Sequence, residues 1–248
     1  MPLPPTVICP LTLPALLQHV LTTQSGTAPT TLVICSSRDA FLQDLYQSLQ
    51  DHREREPDGS LRDLTTPSLH NLSTTRHVKL AFCASVQALL AYLAAYGRRG
   101  PAHGVDCGDT ARLVLVNPLS LHAPTPSFSA QGLARTFAAA TETALRSGVA
   151  LQVVECTVRH KLCEQMNDEA MDMASGAEEK SNAKRETESE TEETELDPWE
   201  QEVSILNVSA RRFGSAGGER AWAGRTVKAR RIAARWFSFQ KQVRQSPA

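Results

Sequence analysis

The sequence predicts an α/β protein: a mostly parallel sheet flanked by helices, with a C-terminal antiparallel hairpin at the sheet edge. Three observations predict it. Five short runs are rich in Val, Ile and Leu without clean alternation, the pattern of strands covered on both faces. Helical patterns fall between them, and strands alternating with helices imply right-handed crossovers in one sheet. The last part of the chain carries two β-branched, aromatic runs separated by a Gly-rich stretch, which reads as a hairpin.

The elements follow in order. The strands are Thr6–Cys9, Thr31–Cys35, Val78–Cys83, Arg112–Asn117 and Leu151–Cys156. Leu13–Leu21 places Leu13, Leu16, Leu17, Val20 and Leu21 on one helical face. Arg38–Leu49 carries Phe41, Leu42, Leu45, Tyr46 and Leu49, with Ser36, Ser37 and Asp39 available to cap its start. Val86–Tyr96 is an Ala/Leu/Tyr helix ended by Gly97, and Ala130–Ser147 is another Ala-rich helix, with Leu133, Phe137 and Leu145, ended by Gly148. A short helix is expected within Leu61–Leu72. Val203–Phe213 and Thr226–Phe239 are the expected hairpin strands, joined through Gly214–Gly218. A basic amphipathic helix over Val227–Val243 is the competing reading.

The 248 residues are 41% hydrophobic, enough for a core, and no apolar run reaches the ~18 residues of a membrane span. The start, MPLPPTVICPLTLP, has no basic leader, so no signal peptide is expected. Six cysteines in a chain of this length suit reduced thiols in the nucleus, or alternatively the cytoplasm. The net charge of −1 hides a division. Residues 164–202 hold 15 acids and 3 bases, and residues 203–248 hold 10 bases and 1 acid. The expected organisation is therefore an α/β core over 1–163, an acidic disordered insert over 164–200, and a basic hairpin over 201–248 that completes the sheet.

Ligands of open α/β sheets bind beyond the carboxyl ends of the strands. There this chain places Cys9, Cys35, Cys83, Asn117 and Cys156. A phosphate site after the first strand needs a Gly-rich loop; Pro10–Pro14 stands there instead, and neither GxxxxGK[ST] nor GxGxxG occurs. The cysteine and histidine spacings match no metal motif, so the thiols are read as core residues. Ser127 and Ser129 lie near His122 without a nucleophile elbow. Glu155 has no visible partner. The reading is no catalytic residues, no cofactor and no metal.

RLVLVN, the loop SLHAPTPSFSAQ, the helix start QGLARTF and LQVVEC, with ILNVSARRF and GRTVKARRIAARWFSF later, together resemble the core of RecA-type recombinases over residues 6–239. That resemblance implies a RecA-like fold. It places Asn117 where a Walker B acid would stand and Pro10–Pro14 where the P-loop would be, which implies a non-enzymatic protein. It is similar in this to the non-catalytic subunits of Shu-type complexes, and also to the RecA-like Elongator subunits. It implies an accessory subunit in homologous-recombination repair, paired with another recombinase-like chain; the alternative is tRNA wobble-uridine modification. No membrane contact is expected. Candidate nucleic-acid contacts are Arg211, Arg212, Lys228, Arg230, Arg231, Arg235 and Trp236, because bases interleaved with aromatic rings suit single strands. Phe128 is the candidate partner anchor.

Overall fold

The computed structural model describes residues 4–24, 28–55, 68–97, 110–157, 197–205 and 225–241. Met1–Val158 and Leu196–Ala248 form one compact unit and Arg159–Glu195 another; all that follows concerns the first. The acidic insert up to residue 196, Gly214–Gly218, and Leu61 to residue 67 lie outside the described residues.

The strands are β1 (Thr6–Leu11), β2 (Thr30–Ile34), β3 (Val78–Phe82), β4 (Arg112–Val116), β5 (Ala150–Cys156), β6 (Glu202–Ser204), β7 (Thr226–Lys228) and β8 (Ser238–Lys241). The helices are α1 (Leu13–Thr23), α2 (Arg38–Arg55), α3 (Leu69–Thr75), α4 (Val86–Ala95), α5 (Pro118–His122), α6 (Ala130–Ser147) and α7 (Ala229–Ala233), with a 3-10 turn at Pro198–Glu200. The main sheet has the order β3-β2-β4-β5-β1-β8, and every pairing in it is parallel. β6 and β7 pair antiparallel as a separate two-stranded sheet. This is the architecture that the RecA resemblance implies: a parallel sheet flanked by helices, plus a small antiparallel hairpin.

Two apolar layers cover the sheet. One packs Leu13, Leu16 and Val20 of α1 and Phe41 of α2 against Ile8, Leu32, Ile34, Val114, Val116 and Val154. The other packs α4, α6, Trp199, Val203 and α7 against Val7, Val33, Leu113, Leu115, Leu151 and Val153. Burial on both faces explains why β2 and β4 read as continuous apolar runs. Serine caps set the helix starts: Ser85 Oγ accepts from Ala88 N–H, and Ser129 Oγ from Gly132 N–H. Gly148, at φ 65°, ends α6 in the left-handed conformation that glycine tolerates.

Four expectations are corrected. β3 is an edge strand, covered on one side only, with Leu80 54% and Phe82 36% exposed. Thr226–Phe239 is not one strand: it splits into β7, α7 and β8, and β8 closes the main sheet in parallel beside β1. The Ala-Arg-Arg-Ile-Ala run is made of good helix formers, which overrides the β-branched flanks. The last residues assigned to the insert, 197–200, belong to the core, because Trp199 is 1% exposed. It packs against Phe137 and meets Phe239 edge-on at 5.5 Å. Finally, α5 follows β4 directly, where only a loop was foreseen.

Candidate functional site

The carboxyl edge of the sheet is closed by the chain itself. β1 extends to Leu11, which pairs with Cys156, and α1 begins at Leu13. Only Thr12 separates them, and its hydroxyl accepts from Ala15 N–H at 3.4 Å as the cap of α1. Leu11, Leu13 and Pro14 are buried. A phosphate cradle needs a loop with several free N–H groups; here a strand passes into a helix across one residue, and apolar side chains pack around the junction.

Asn117 follows β4 with φ 59° and ψ 45°. Asparagine enters this left-handed region more readily than other non-glycine residues. Its side chain does not cap α5. Instead Oδ1 accepts the Cys156 N–H at 2.7 Å, and the Asn117 N–H donates to Val154 O at 2.8 Å. The amide therefore ties the ends of β4 and β5 together.

Glu155 is the functional group that sequence reasoning missed. It is 2% exposed, at the end of β5. Its carboxylate accepts from Leu119 N–H at 2.9 Å, Ser120 N–H at 2.8 Å and the Ser120 hydroxyl. It does have a partner: the first turn of α5, where unpaired amides favour an anion. Burial pushes its pKa up to about 7, against the lowering effect of those three donors. An acidic residue at the end of the buried-strand run LQVVEC was the available signal, since carboxylates are almost never fully buried unless paired.

The four cysteines at this edge are free thiols. Burial raises the pKa of each, that of Cys9 to about 11. Such thiols are poor nucleophiles and poor metal ligands. Among the described residues, no group of three His, Cys, Asp or Glu side chains is placed to hold a metal.

His122 is fully buried. Its Nδ1 lies 3.2 Å from Ser127 O and its Nε2 3.0 Å from Thr136 Oγ1. The carbonyl can only accept, so Nδ1 donates and Nε2 accepts from the threonine hydroxyl. Burial lowers its pKa. The ring thus binds the turn after α5 to α6. It meets the Ser127 carbonyl, not its hydroxyl, and Ser129 is occupied as a cap, so no serine nucleophile is assembled here. A cleft of about 240 Å³ lies beside it, lined by residues including Val86, Leu90, His122, Gln131 and Arg135. That is below the usual size of a small-molecule site.

The basic C-terminal residues sort into two groups. Lys228 Nζ sits 2.7 Å from Glu200, and Arg230 lies 3.8 Å from Asp197 and 3.7 Å from Glu200. The Arg230 guanidinium also stacks 4.7 Å above the Phe239 ring. Arg231 and Arg235 are exposed. Trp236 is half-buried against the core layer, and its indole N–H is buried without an acceptor among the described residues. Arg211 and Arg212 lie outside the described residues. Phe128 is half-buried against the same layer, its N–H donating to Thr125 O at 3.0 Å.

No family model matches the chain, and no curated protein does. Among solved structures, it is similar to a DnaB-like replicative helicase, described with its interactions with primase. The identity is 11% and the TM-score 0.35, over 68% of this chain and 43% of that one. The chain therefore spans less than half the length of that helicase.

Proposed function

We propose that this protein is a non-catalytic, recombinase-like accessory subunit that acts by contact in homologous-recombination repair, with another recombinase-like chain as its partner. One observation carries the non-catalytic part. The junction from β1 to α1 is a single residue, and the helix N-terminus closest to Glu155, that of α5, already holds the carboxylate of this chain. A phosphate would have to displace a strand, a cap or Glu155 to reach donors there. The order of motifs, RLVLVN through LQVVEC, supports the recombinase side, and the parallel sheet is consistent with it. Among the basic residues, Arg231 and Arg235 are the better contacts for nucleic acid, because Lys228 and Arg230 face acids.

The test is affinity purification of the full chain from its own cells, with mass spectrometry of what accompanies it. A recombinase-like partner, together with sensitivity of a deletion strain to DNA damage, is the expected result. Recovery with tRNA-modifying subunits, and loss of wobble-uridine modification, would replace this reading by the Elongator one. Equilibrium dialysis against ATP with Mg²⁺ tests the other half, since specific binding or turnover would overturn it.

A further inference from the structure

We propose that the free margin of the sheet, β3 with the flank of α2 above it, is where a second copy of this chain docks, the two β3 strands pairing antiparallel about Leu80. The inference stands apart from the recombinase reading. No strand lies beside the outer edge of β3 among the described residues. His77 O accepts from Thr30 N–H and Cys83 N–H donates to Ile34 O, so residues 77, 79, 81 and 83 turn their main-chain groups toward β2. By the period of two, the main-chain groups of Val78, Leu80 and Phe82 point outward. Edge strands are ordinarily guarded by charge, proline or a bulge. Here the register with β2 runs unbroken from Val78 to Phe82, and Lys79 is the strand's one charge.

Apolar side chains line that margin. Leu80 and Phe82 are in register with Leu32 and Ile34, so they project to the face that α2 covers. Phe41 of α2 packs with Leu32 and Ile34 and meets Phe82 edge-on at 5.8 Å, which seats the helix over both β2 and β3. α1, which links β1 to β2, packs on one flank of α2. The right-handed winding of α2 turns Leu42 and Tyr46, one turn apart, to the other flank, above the outer edge. Leu42 is 48% and Tyr46 64% exposed. With Leu80 and Phe82 they present roughly 400 Å² of apolar side chain to water, a large patch for a monomer.

The strand's own sequence selects the occupant. VKLAF turned about Leu80 sets Val78 against Phe82 and Lys79 against Ala81. Apolar then meets apolar on one face, and no lysine directly opposes a lysine on the other. The outward amides and carbonyls of each strand meet those of its twin, and two six-stranded sheets become one. Each α2, seated over β2 and β3, lies about one strand spacing from the two-fold axis. The two helices therefore stand ~10 Å apart, the distance at which helices pack, with Leu42 and Tyr46 between them. The contact is isologous and closes on two copies. A standard interface takes ~800 Å² from each partner. The apolar patch supplies about half of that, and the edge main chain and the Lys79 stem adjoin it.

Sedimentation velocity of the full chain over a dilution series tests this, and should show a dimer that dissociates on dilution. Leu80→Lys sets lysine directly against lysine and should raise the dimer dissociation constant by at least about tenfold. Tyr46→Glu, on the helix flank, should act in the same direction and serves if Leu80→Lys does not fold. Leu145→Lys, at an exposed position of α6, should leave the constant unchanged. Amide hydrogen exchange at Val78, Leu80 and Phe82 should slow as the protein concentration rises. A chain that stays monomeric at every soluble concentration would overturn the proposal. So would a dimer indifferent to both Leu80→Lys and Tyr46→Glu, or protection of these amides only when a different protein is bound.

Discussion

The Asn117 side-chain oxygen accepts the backbone N–H of Cys156 at 2.7 Å, across the ends of β4 and β5. Two demands meet at this residue, a left-handed backbone and an acceptor. Asn117→Gly keeps the first and loses the second; Asn117→Ala loses both. Urea denaturation should show a cost of about 1 kcal/mol for the glycine variant and about 2–3 kcal/mol for the alanine one. Equal costs would mean that the backbone conformation carries no strain in the alanine protein.

Trp199 is buried between Phe137 and Phe239, far in sequence from either. Trp199→Ala should destabilise the protein by about 3–5 kcal/mol, as for other buried aromatic truncations. Trp199→Phe should cost much less, because it also removes a buried indole N–H that has no acceptor among the described residues. Chemical denaturation of both variants checks this, and a small effect of Trp199→Ala would return residues 197–200 to the insert.

His122 is held neutral by burial, with its folded-state pKa below the ordinary value of 6.5. The stability it contributes is present above 6.5 and is lost as pH falls through its folded-state pKa. Glu155 acts with the opposite sign between its ordinary value and about 7, so the check is a difference between proteins. His122→Gln can still donate to Ser127 O and accept from Thr136. The stability advantage of wild type over this variant should shrink on acidification, by up to about 1.4 kcal/mol per pH unit.

Arg231 and Arg235 are exposed, whereas Lys228 and Arg230 are engaged with Asp197 and Glu200. If this segment contacts nucleic acid, the double variant Arg231→Glu/Arg235→Glu should weaken single-stranded DNA binding several-fold at low salt. It should also flatten the salt dependence by about one to two charges. Lys228→Ala should change binding far less. Fluorescence anisotropy across a salt series distinguishes the two, and an unchanged double variant would remove the segment from the nucleic-acid surface.

The central strands were legible in the sequence because burial on both faces leaves a direct trace in composition. β3 has the same kind of composition, yet lies at the edge, since an apolar run reports its own chemistry and not the number of its neighbours. Gly148 and the cap of α2 were legible as local signals, Ser37 Oγ accepting from Ala40 N–H at 3.2 Å. Trp199 was not, because a single aromatic residue beside an acid-rich run is lost in any average over that run; Asp197–Pro198, a capping residue before proline, was the sharper clue. Glu155 escaped for a different reason. Its partner is a pair of backbone amides 35 or 36 residues away, and amides carry no identity in sequence. The exposed Arg231 and Arg235 could be told from the paired Lys228 and Arg230 only once Glu200 and Asp197 were brought beside the latter two.

The Ser238 N–H donates to Pro5 O, joining residues 233 apart in sequence. β1 is flanked by β5 and β8, so this strand has neither sheet neighbour until Ala150–Cys156 is made, and lacks its second until Ser238–Lys241 follows. Long-range parallel pairing of this kind folds slowly and leaves strand edges bare in the meantime. A truncation that removes β8 would therefore leave one margin of β1, with the buried Val7 and Ile8, without its partner.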